Sequence, residues 1–364
     1  MASLIQELTA PLEKPPLVSV IIVSFNNEKI IGDCLSSVFN SNYPNFEVIL
    51  IDNGSTDGTL DTVKKRFGSI SYLKLIGNSE NLGYAEGCNI GAGYAEGEYL
   101  AFLNSDTEVD PNWLNDLVKV IRSDWAIGAA QSKLLYADNH EQIWACGEFI
   151  DPYGSTTKYA HNQEDKGQYD YTKEIFNCLS TAMIVRRKLF EEVGMFDPKF
   201  FLYHEDVDIG WRIWIRGYKN IFVPKSVVFH KVGYSTRKEV SSFRVFHSAK
   251  NLIGMMIKNY DSKNLVRYVF IRVTSHLFIS AYEFARMRPD LGTALIRSIL
   301  WNLLNFEHLW KERLKVQTIL RKLSDKEIME RVMMKPSLAE IFRKQSSHSV
   351  SKSLPNPSLK YRET

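Results

Sequence analysis

The stretch Tyr99–Asp106, YLAFLNSD, begins as an apolar strand and ends in three polar residues. The consecutive apolar residues Leu100–Leu103 are typical of a central strand in a parallel sheet, because such a strand is covered on both faces. Parallel strands deliver ligand-binding groups at their carboxyl ends, in the crevice outside the sheet. The sequence therefore predicts that Asn104, Ser105 and Asp106 lie in a binding crevice. A carboxylate there can hold a divalent cation, and a divalent cation can hold a diphosphate.

Apolar strands alternate with amphipathic helices on the N-terminal side of this stretch. Val18–Ser24 and Phe46–Asp52 are rich in β-branched residues and predict two buried strands, each followed by apolar residues at helical spacing. Tyr72–Ile76 predicts a third strand, and the small residues of Gly83–Tyr94 predict a helix that packs closely on the sheet. This alternation predicts an α/β fold with right-handed connections, in which helices flank a mostly parallel sheet.

The spacing of apolar residues changes after Ile127 and again after Ser235. Short mixed segments follow Ile127 and predict edge strands over the carboxyl end of the sheet. Two later segments, Leu265–Phe284 and Leu295–Leu309, predict amphipathic helices. We therefore expect four regions: an N-terminal extension over residues 1–17, an α/β domain over 18–235, an amphipathic helical region over 236–344 and a disordered tail over 345–364.

Charge is distributed unevenly along the chain, although the formal net charge is only +3. Residues 1–235 carry 21 Lys and Arg against 31 Asp and Glu, whereas residues 236–364 carry 24 against 11. An acidic crevice needs a cation before it can hold a diphosphate, and a basic helical region is attracted to anionic surfaces. Two interpretations of the helical region stay open. It packs on the α/β domain, or it lies in a membrane interface with its arginines toward anionic head groups.

The sequence lacks the features of secretion and of membrane insertion. Four scattered cysteines form no CxxC pair, which favours a reducing compartment over a disulfide scaffold or a zinc site. The first 17 residues contain no secretory signal. No uninterrupted apolar run reaches the roughly 18–20 residues needed to cross a bilayer. We expect a cytoplasmic protein without a nucleic-acid partner, with peripheral contact to the inner face of the cell membrane as one option.

Polar residues also follow the first two predicted strands. Asp52 ends a buried strand and is followed by an Asn-Gly-Ser turn, so its carboxylate can be presented to a ligand at the edge of the sheet. The alternative is a local turn or helix cap, for which Asp57 is equally suited. Ser24 and Asn26 end the neighbouring strand, so we expect several polar groups to converge on one crevice.

His230 ends a short apolar strand, Val227–His230, which follows another short predicted strand, Ile221–Val223. An imidazole at that position can point into the same crevice and supply a metal ligand in addition to Asp106, because a hard cation needs several ligands. The alternative is a histidine whose hydrogen bonds are satisfied in the core or at the surface.

The segment His204–Asp208, HEDVD, carries three carboxylates within four residues. At a helix N-terminus they gain from the helix dipole, which is the simplest interpretation of the cluster. The functional interpretation is a general base aimed at a substrate hydroxyl. The preceding aromatic residues Phe200, Phe201 and Tyr203 could stack against a sugar, although core packing explains them equally well.

Five blocks in fixed order give the chain a resemblance to family 2 glycosyltransferases with the GT-A fold. The resemblance is greatest to rhamnosyltransferase-type members that build surface polysaccharides, and it covers Leu17–Ser235. The blocks are VSVIIVSFNN (18–27), EVILIDNGSTDGT (47–59), NLGYAEGCNIGA (81–92), YLAFLNSDTEVDP (99–111) and GMFDPKFFLYHEDVDIGWR (194–212). These five blocks are specific for the superfamily, but they are much less specific for which sugar is transferred.

The resemblance implies a nucleotide-sugar donor and a divalent cation, Mg²⁺ or Mn²⁺. The family's DXD metal motif matches Asn104-Ser105-Asp106, with Asp106 as a metal ligand and Asn104 in place of the first carboxylate, a departure that argues against tight metal binding. Some relatives add a histidine ligand, which here would be His230. The implied donor-binding residues are Ser24, Asn26, Asp52, Asn81, Gly83, Asn104 and Asp106.

The resemblance also implies a catalytic base in the Glu205–Asp206 pair, with Asp206 in that role and Glu205 beside it. Tyr203, Asp208 and Trp211 would then contact the acceptor. These assignments predict inverting glycosyl transfer from a nucleotide sugar, with dTDP-rhamnose as the first choice. The acceptor is expected to be a glycan or a lipid-linked glycan in polysaccharide or glycoconjugate biosynthesis.

Two alternatives to that function stay open. The same chemistry could use a UDP-sugar such as UDP-galactofuranose or UDP-glucose. A non-catalytic nucleotide-sugar-binding subunit of an assembly is the alternative from another class. Asn104 supports the second alternative, whereas the intact HEDVD segment argues against it.

Overall fold

The structure is a computed structural model that describes residues 15–232 and 241–335 of the 364-residue chain. The expected disordered tail, most of the expected N-terminal extension and the boundary expected after Ser235 lie outside the described residues. The division into four regions therefore stays a prediction.

Four parallel strands form one half of the central sheet, in the order β3-β2-β1-β4. Alternate residues of these strands belong to two separate apolar cores, because helices cover both faces of the sheet. The strands are β1 (Val18–Ser24), β2 (Phe46–Asp52), β3 (Leu73–Gly77) and β4 (Tyr99–Asn104). The helices are α1 (Ile31–Phe39), α2 (Thr59–Phe67), α3 (Tyr84–Tyr94) and α4 (Trp113–Ser123).

The other half of the sheet begins with an antiparallel strand beside β4 and continues in the order β11-β6-β12-β10. Within it, β6 and β12 run parallel. Its elements are β5 (Thr107–Val109), β6 (Ile127–Tyr136), β7 (Asn139–Ala145), β8 (Glu148–Ile150), β9 (Thr156–Lys158), β10 (Lys173–Ile175), β11 (Ala182–Arg186), α5 (Arg187–Glu192), α6 (Glu205–Ile215) and β12 (Lys219–His230). The predicted α/β architecture, a mostly parallel central sheet with flanking helices and a helical C-terminal region, is confirmed.

The short strand β5 pairs with the last residues of β12. It follows Asp106 directly, and the pairing is antiparallel, with Thr107 opposite His230. The backbone N–H of Lys231 also donates to the carbonyl of Asp106 at 2.8 Å. This pairing brings His230 beside Asp106, although 124 residues separate them in the chain.

The C-terminal helices pack on the α/β domain through the first of them. Leu252, Met255 and Met256 of that helix belong to the same buried apolar cluster as Phe102 of β4. The helices are α7 (Ser242–Asn259), α8 (Ser262–Ala285), α9 (Pro289–Leu304), α10 (Phe306–Lys315) and α11 (Asp325–Val332), with a π-helical turn at Val316–Leu320. Among the residues described, no helix is both long and apolar enough to cross a membrane.

Candidate active site

Asp52 lies at the carboxyl edge of the sheet, where β2 ends opposite Ser24 of β1. One of its oxygens, Oδ2, accepts a hydrogen bond from the backbone N–H of Ser55 at 3.2 Å, so the expected local turn is formed. The other oxygen, Oδ1, is buried without a hydrogen-bond partner in the described part of the chain. A buried carboxylate oxygen of this kind is costly unless a ligand satisfies it. Asp52 therefore fits the donor-binding role predicted for it.

Asn26 joins the segments that follow β1 and β2. Its backbone has a positive φ of 53°, its side-chain oxygen accepts from the N–H of Thr56 at 2.8 Å, and its own N–H donates to Ser55 Oγ at 2.9 Å. Ser24 is completely buried, so the prediction that it contacts the donor is corrected. Its carbonyl instead accepts from the N–H of Asn53 at 2.8 Å, which holds the ends of β1 and β2 together.

Asn53, which the sequence did not single out, organises the segment that contains Asn81 and Gly83. Its side-chain nitrogen donates to Asn81 Oδ1 and to the carbonyl of Gly83, both at 3.0 Å. Gly83 has a φ of 87°, and a Cβ at that position would lie 2.5 Å from the ring of Phe201. A side chain at position 83 would therefore push the expected donor segment away from the loop that precedes α6.

Asp106 and His230 are both buried at the end of the crevice nearest β12, and Asp106 Oδ1 lies 3.2 Å from His230 Nε2. The ring of Trp144 contacts the imidazole edge-on, with 4.4 Å between the ring centroids. Asn104, which ends β4, is half-buried, as a residue facing a ligand would be. The structure thus brings the two predicted metal ligands together.

A carboxylate oxygen and an imidazole nitrogen at this separation fit a shared divalent cation of the Mg²⁺ or Mn²⁺ type. Within residues 15–232 and 241–335, no group of three or more His, Cys, Asp or Glu side chains is arranged to hold a metal by itself. The remaining ligands would therefore have to come from the substrate and from water. That requirement agrees with a cation that binds together with a diphosphate.

Asp206 lies in the first turn of α6 and is half-buried. Its Oδ2 accepts from the backbone N–H of Ser180 at 3.3 Å, and the next residue, Thr181, accepts from the N–H of Asn104 at 3.0 Å. Two consecutive residues thus connect the carboxyl end of β4 to the expected base. Burial raises the pKa of the Asp206 carboxyl, which makes it a stronger base than an exposed aspartate.

Two charged residues beside Asp206 come from the hairpin of β8 and β9 and had no recognisable pattern in the sequence. Glu148 is buried, and its pKa is raised by burial and then by the charge of Asp206. Lys158 lies over the ring of Trp144, with 3.6 Å from Nζ to the centroid, and burial lowers its pKa. Trp144 also contacts His230. The hairpin therefore links the Asp106–His230 pair to Asp206.

Asp208 and Trp211 do not contact an acceptor, contrary to prediction, because both are completely buried. Asp208 Oδ2 accepts from Arg212 at 2.8 Å and from Lys258 at 2.9 Å, and its Oδ1 accepts from Asn259 at 2.9 Å. The helical period of α6 turns these side chains inward while Asp206 stays accessible. Tyr203 is half-buried, so its predicted contact with the acceptor stays a prediction.

Glu205 was predicted to lie beside the base in the catalytic pair, and only 6% of its surface is exposed. Its part in catalysis stays a prediction. Burial, followed by the charge of Asp206, raises its pKa above the usual value of 4.5. The folded protein therefore favours the protonated carboxyl. As the pH rises above 4.5, the unfolded chain ionises first, and the folded state becomes less stable relative to it.

We therefore expect Glu205→Gln to be more stable than the wild type at pH 8 by at least about 1.4 kcal/mol, the equivalent of one pKa unit, and to differ less at pH 5. Urea unfolding at both pH values measures the difference. The exposed residue Glu330 provides the control, because Glu330→Gln should stay within about 0.5 kcal/mol of wild type. If the free energy of unfolding depends on pH in the same way in Glu205→Gln and in wild type, the Glu205 carboxyl does not cause that dependence.

This chain is similar in sequence to known glycosyltransferases. Residues 19–194 match the family model described as Glycosyl transferase family 2. An uncharacterized glycosyltransferase of Haemophilus influenzae is 27% identical over 335 residues, which cover 86% of this chain and 99% of that protein. An N-acetylglucosaminyl-diphospho-decaprenol L-rhamnosyltransferase of Mycobacterium tuberculosis is 27% identical over 239 residues, which cover 57% of this chain and 73% of that one.

Among solved structures, this chain is similar to GalNAc-T7 in complex with UDP, GalNAc and Mn²⁺, with a TM-score of 0.58 and 19% identity. The superposition covers 80% of this chain and 58% of GalNAc-T7, so this chain spans less than two thirds of that protein. At this level of identity the likeness concerns the fold, and it confirms the predicted GT-A class.

Proposed function

We propose that the domain containing residues 19–194, which match the model of glycosyl transferase family 2, transfers a sugar, with inversion, from a nucleotide-sugar donor to a hydroxyl group of a glycan or lipid-linked glycan. One observation carries the proposal. The half-buried Asp206 and the Asp106–His230 pair lie at one edge of the sheet and are connected through Ser180, Thr181 and Asn104. This arrangement supports a reaction in which the proposed base lies near the proposed diphosphate site.

In the proposed reaction, Asp206 accepts the proton of the acceptor hydroxyl as its oxygen bonds to the anomeric carbon of the donor. The bond between that carbon and the diphosphate oxygen breaks, and the nucleoside diphosphate leaves with the electron pair. Positioning of the two substrates contributes much of the rate, and the general base contributes about 10²–10⁴-fold. The raised pKa of Asp206 suits this role, because the base must take up a proton near neutral pH.

Asp106 and His230 are the residues that would hold Mg²⁺ or Mn²⁺. When bound, such a cation neutralises charge on the diphosphate. Asp106 supplies a hard oxygen ligand and His230 a nitrogen ligand, and Trp144 fixes the imidazole against the wall of the crevice. Asp52, whose Oδ1 has no hydrogen-bond partner among the described residues, would accept hydrogen bonds from the base or ribose of the donor.

The choice of dTDP-rhamnose as donor is supported by the similarity to the mycobacterial rhamnosyltransferase. Release of nucleoside diphosphate from dTDP-rhamnose, UDP-glucose and UDP-galactofuranose, measured with an enzyme-coupled assay, tests the activity and the donor together. Release from dTDP-rhamnose alone would support the first choice. Release from a UDP-sugar would establish the alternative donor, and release from none of the three with a range of glycan acceptors would contradict glycosyl transfer from these donors.

We further propose that the C-terminal helices contact an anionic membrane surface. Large apolar side chains on α8 and α9 are exposed, including Phe270 at 69%, Phe278 at 79% and Leu304 at 85%. Exposed basic side chains lie on the same helices, among them Arg267 of α8 and Arg297 of α9. Apolar residues with flanking positive charges are the combination that binds the interface of an anionic bilayer.

We expect wild-type protein to float with phosphatidylglycerol vesicles and the double variant Phe270→Ser/Phe278→Ser to bind them at least about 10-fold more weakly. Trp125→Ser is the matched control, because Trp125 is 77% exposed on the α/β domain. Truncation before α7 is unsuitable, since α7 belongs to the buried core. Equal flotation of the wild type and the double variant would exclude these helices as the docking surface.

A further inference from the structure

The loop that leads into the expected base has an uncommon backbone. Phe201, Tyr203 and His204 all have positive φ values, of 67°, 69° and 64°. Residues other than glycine rarely adopt this conformation, and they keep it only where surrounding groups hold the backbone in place. Since Asp206 follows within two residues, whatever holds this loop also determines the position of the base.

Asn251 of α7 holds the loop through its side-chain amide. Its side-chain nitrogen lies within hydrogen-bonding distance of three carbonyl oxygens, those of Phe200 at 2.9 Å, Leu202 at 2.9 Å and Tyr203 at 2.7 Å. An amide group has two N–H donors, so at least one of them is shared between carbonyls. Asn251 is completely buried. Water therefore does not compete for these hydrogen bonds in the folded protein.

Lysine side chains of α7 strengthen the same attachment. Lys250, also buried, donates to the carbonyl of Lys199 at 2.7 Å. Two turns further along the helix, Lys258 bridges Asp197 at 2.8 Å and Asp208 at 2.9 Å. The chain is thus fixed to α7 both before and after Asp206.

We infer that Asn251 and Lys258 are positioning residues for Asp206, so that α7 is part of the catalytic unit. This inference rests on the proposed function, in which Asp206 is the base. Helix α7, which lies outside the residues that match the family model, would then determine how well Asp206 is aligned with the acceptor hydroxyl. Among the expected donor-binding residues, Gly83 packs against Phe201 of this loop. Most of the expected donor-binding residues lie at or just after the ends of β1, β2 and β4. Loss of Asn251 should therefore affect turnover more than donor binding.

The test compares Asn251→Ala with wild type in two measurements. Steady-state release of nucleoside diphosphate from dTDP-rhamnose and from UDP-glucose should show kcat lowered by about 10- to 100-fold, with donor KM close to wild type. Hydrogen exchange should show faster exchange of the backbone amides over residues 200–208. Asn264→Ala is the control, because Asn264 donates to Asp325 at 3.0 Å, in a contact between α8 and α11 that does not involve the loop.

Each outcome decides the inference. Wild-type kcat in Asn251→Ala would overturn it, as would an equal loss of kcat in Asn264→Ala, which would indicate a general effect of lower stability. If wild type releases no nucleoside diphosphate from either donor, the proposed function fails for those donors. Hydrogen exchange then still tests the attachment of the loop. Unchanged exchange over residues 200–208 would overturn the inference whether or not the protein is active.

Discussion

Asp206→Asn is expected to lower kcat for glycosyl transfer by about 10²–10⁴-fold while donor affinity stays close to wild type. Asparagine has the shape of aspartate but cannot accept the proton of the acceptor hydroxyl. Donor affinity should be preserved because most of the residues expected to bind the nucleotide and the diphosphate lie at or after the ends of β1, β2 and β4, not on α6. The measurement is the rate of nucleoside diphosphate release at saturating donor, together with donor KM.

The pH dependence adds an independent check on this assignment. Burial raises the pKa of Asp206 above the usual value of 3.8 for aspartate, so kcat of the wild type should fall as the pH is lowered through that raised value. Asp61→Asn is a suitable control, because Asp61 is exposed on α2. Unchanged kcat in Asp206→Asn would show that Asp206 is not the base, whereas no turnover by the wild type with any donor would favour a non-catalytic nucleotide-sugar-binding subunit.

Replacement of Asp106 should have the second large effect. We expect Asp106→Ala to lower kcat/KM for the donor by at least about 10²-fold and to abolish any stimulation by Mn²⁺, because charge on the departing diphosphate would no longer be neutralised. His230→Gln should lower Mn²⁺ affinity less, since it removes one ligand and leaves the carboxylate. Titration of activity with Mn²⁺ measures both effects.

Binding of Mn²⁺ can be measured without turnover, by electron paramagnetic resonance in the presence of dTDP. Asp33 is a matched control, since its carboxylate pairs with Lys231 at 2.8 Å and lies outside the Asp106–His230 pair. Asp33→Ala should keep the Mn²⁺ affinity of wild type. Equal Mn²⁺ binding by wild type and Asp106→Ala would place any metal site elsewhere.

The first half of the fold could be predicted from sequence because its elements are local. β1 and β2 were predicted with their observed bounds, and each is a continuous apolar segment followed by helical spacing. Strand β12 was harder to predict. Ile221–Val223 and Val227–His230 were predicted as two strands, whereas the structure has one strand, Lys219–His230, with an irregular register between Val223 and Val227. Pro224 interrupts the apolar pattern there, but pairing with β6 continues the strand.

The proximity of candidate residues could be predicted where it depends on the ends of strands. Asp52, Asp106 and His230 each end or follow an apolar strand, and the topology of the sheet brings such residues to one edge. Asp208 and Trp211 were misassigned because an acidic and aromatic pattern does not reveal which side of α6 is buried. Asp208 is buried by contacts with α7, a helix distant in sequence. Trp211 packs against Phe176 and Tyr260, which are also distant in sequence.

Other residues near Asp206 could not be predicted from any local sequence pattern. Glu148 and Lys158 lie in short mixed segments, and their proximity to Asp206 depends on how the β8–β9 hairpin folds over the crevice. Asn251 lies in a helix whose sequence indicates only amphipathic packing. Its contacts with three carbonyls depend on the unusual backbone of residues 201–204, which only the structure reveals.

The central claim, that the crevice binds a nucleotide sugar together with a divalent cation, is tested most directly by thermal unfolding of the wild type with nucleotide sugars, each with and without Mn²⁺. A ligand at about 100 times its Kd adds about 2.7 kcal/mol to the stability of the folded state, which raises the melting temperature measurably. We predict an Mn²⁺-dependent rise with dTDP-rhamnose. An Mn²⁺-dependent rise with UDP-sugars instead would keep the claim and change the donor, whereas no rise with any nucleotide sugar would contradict it.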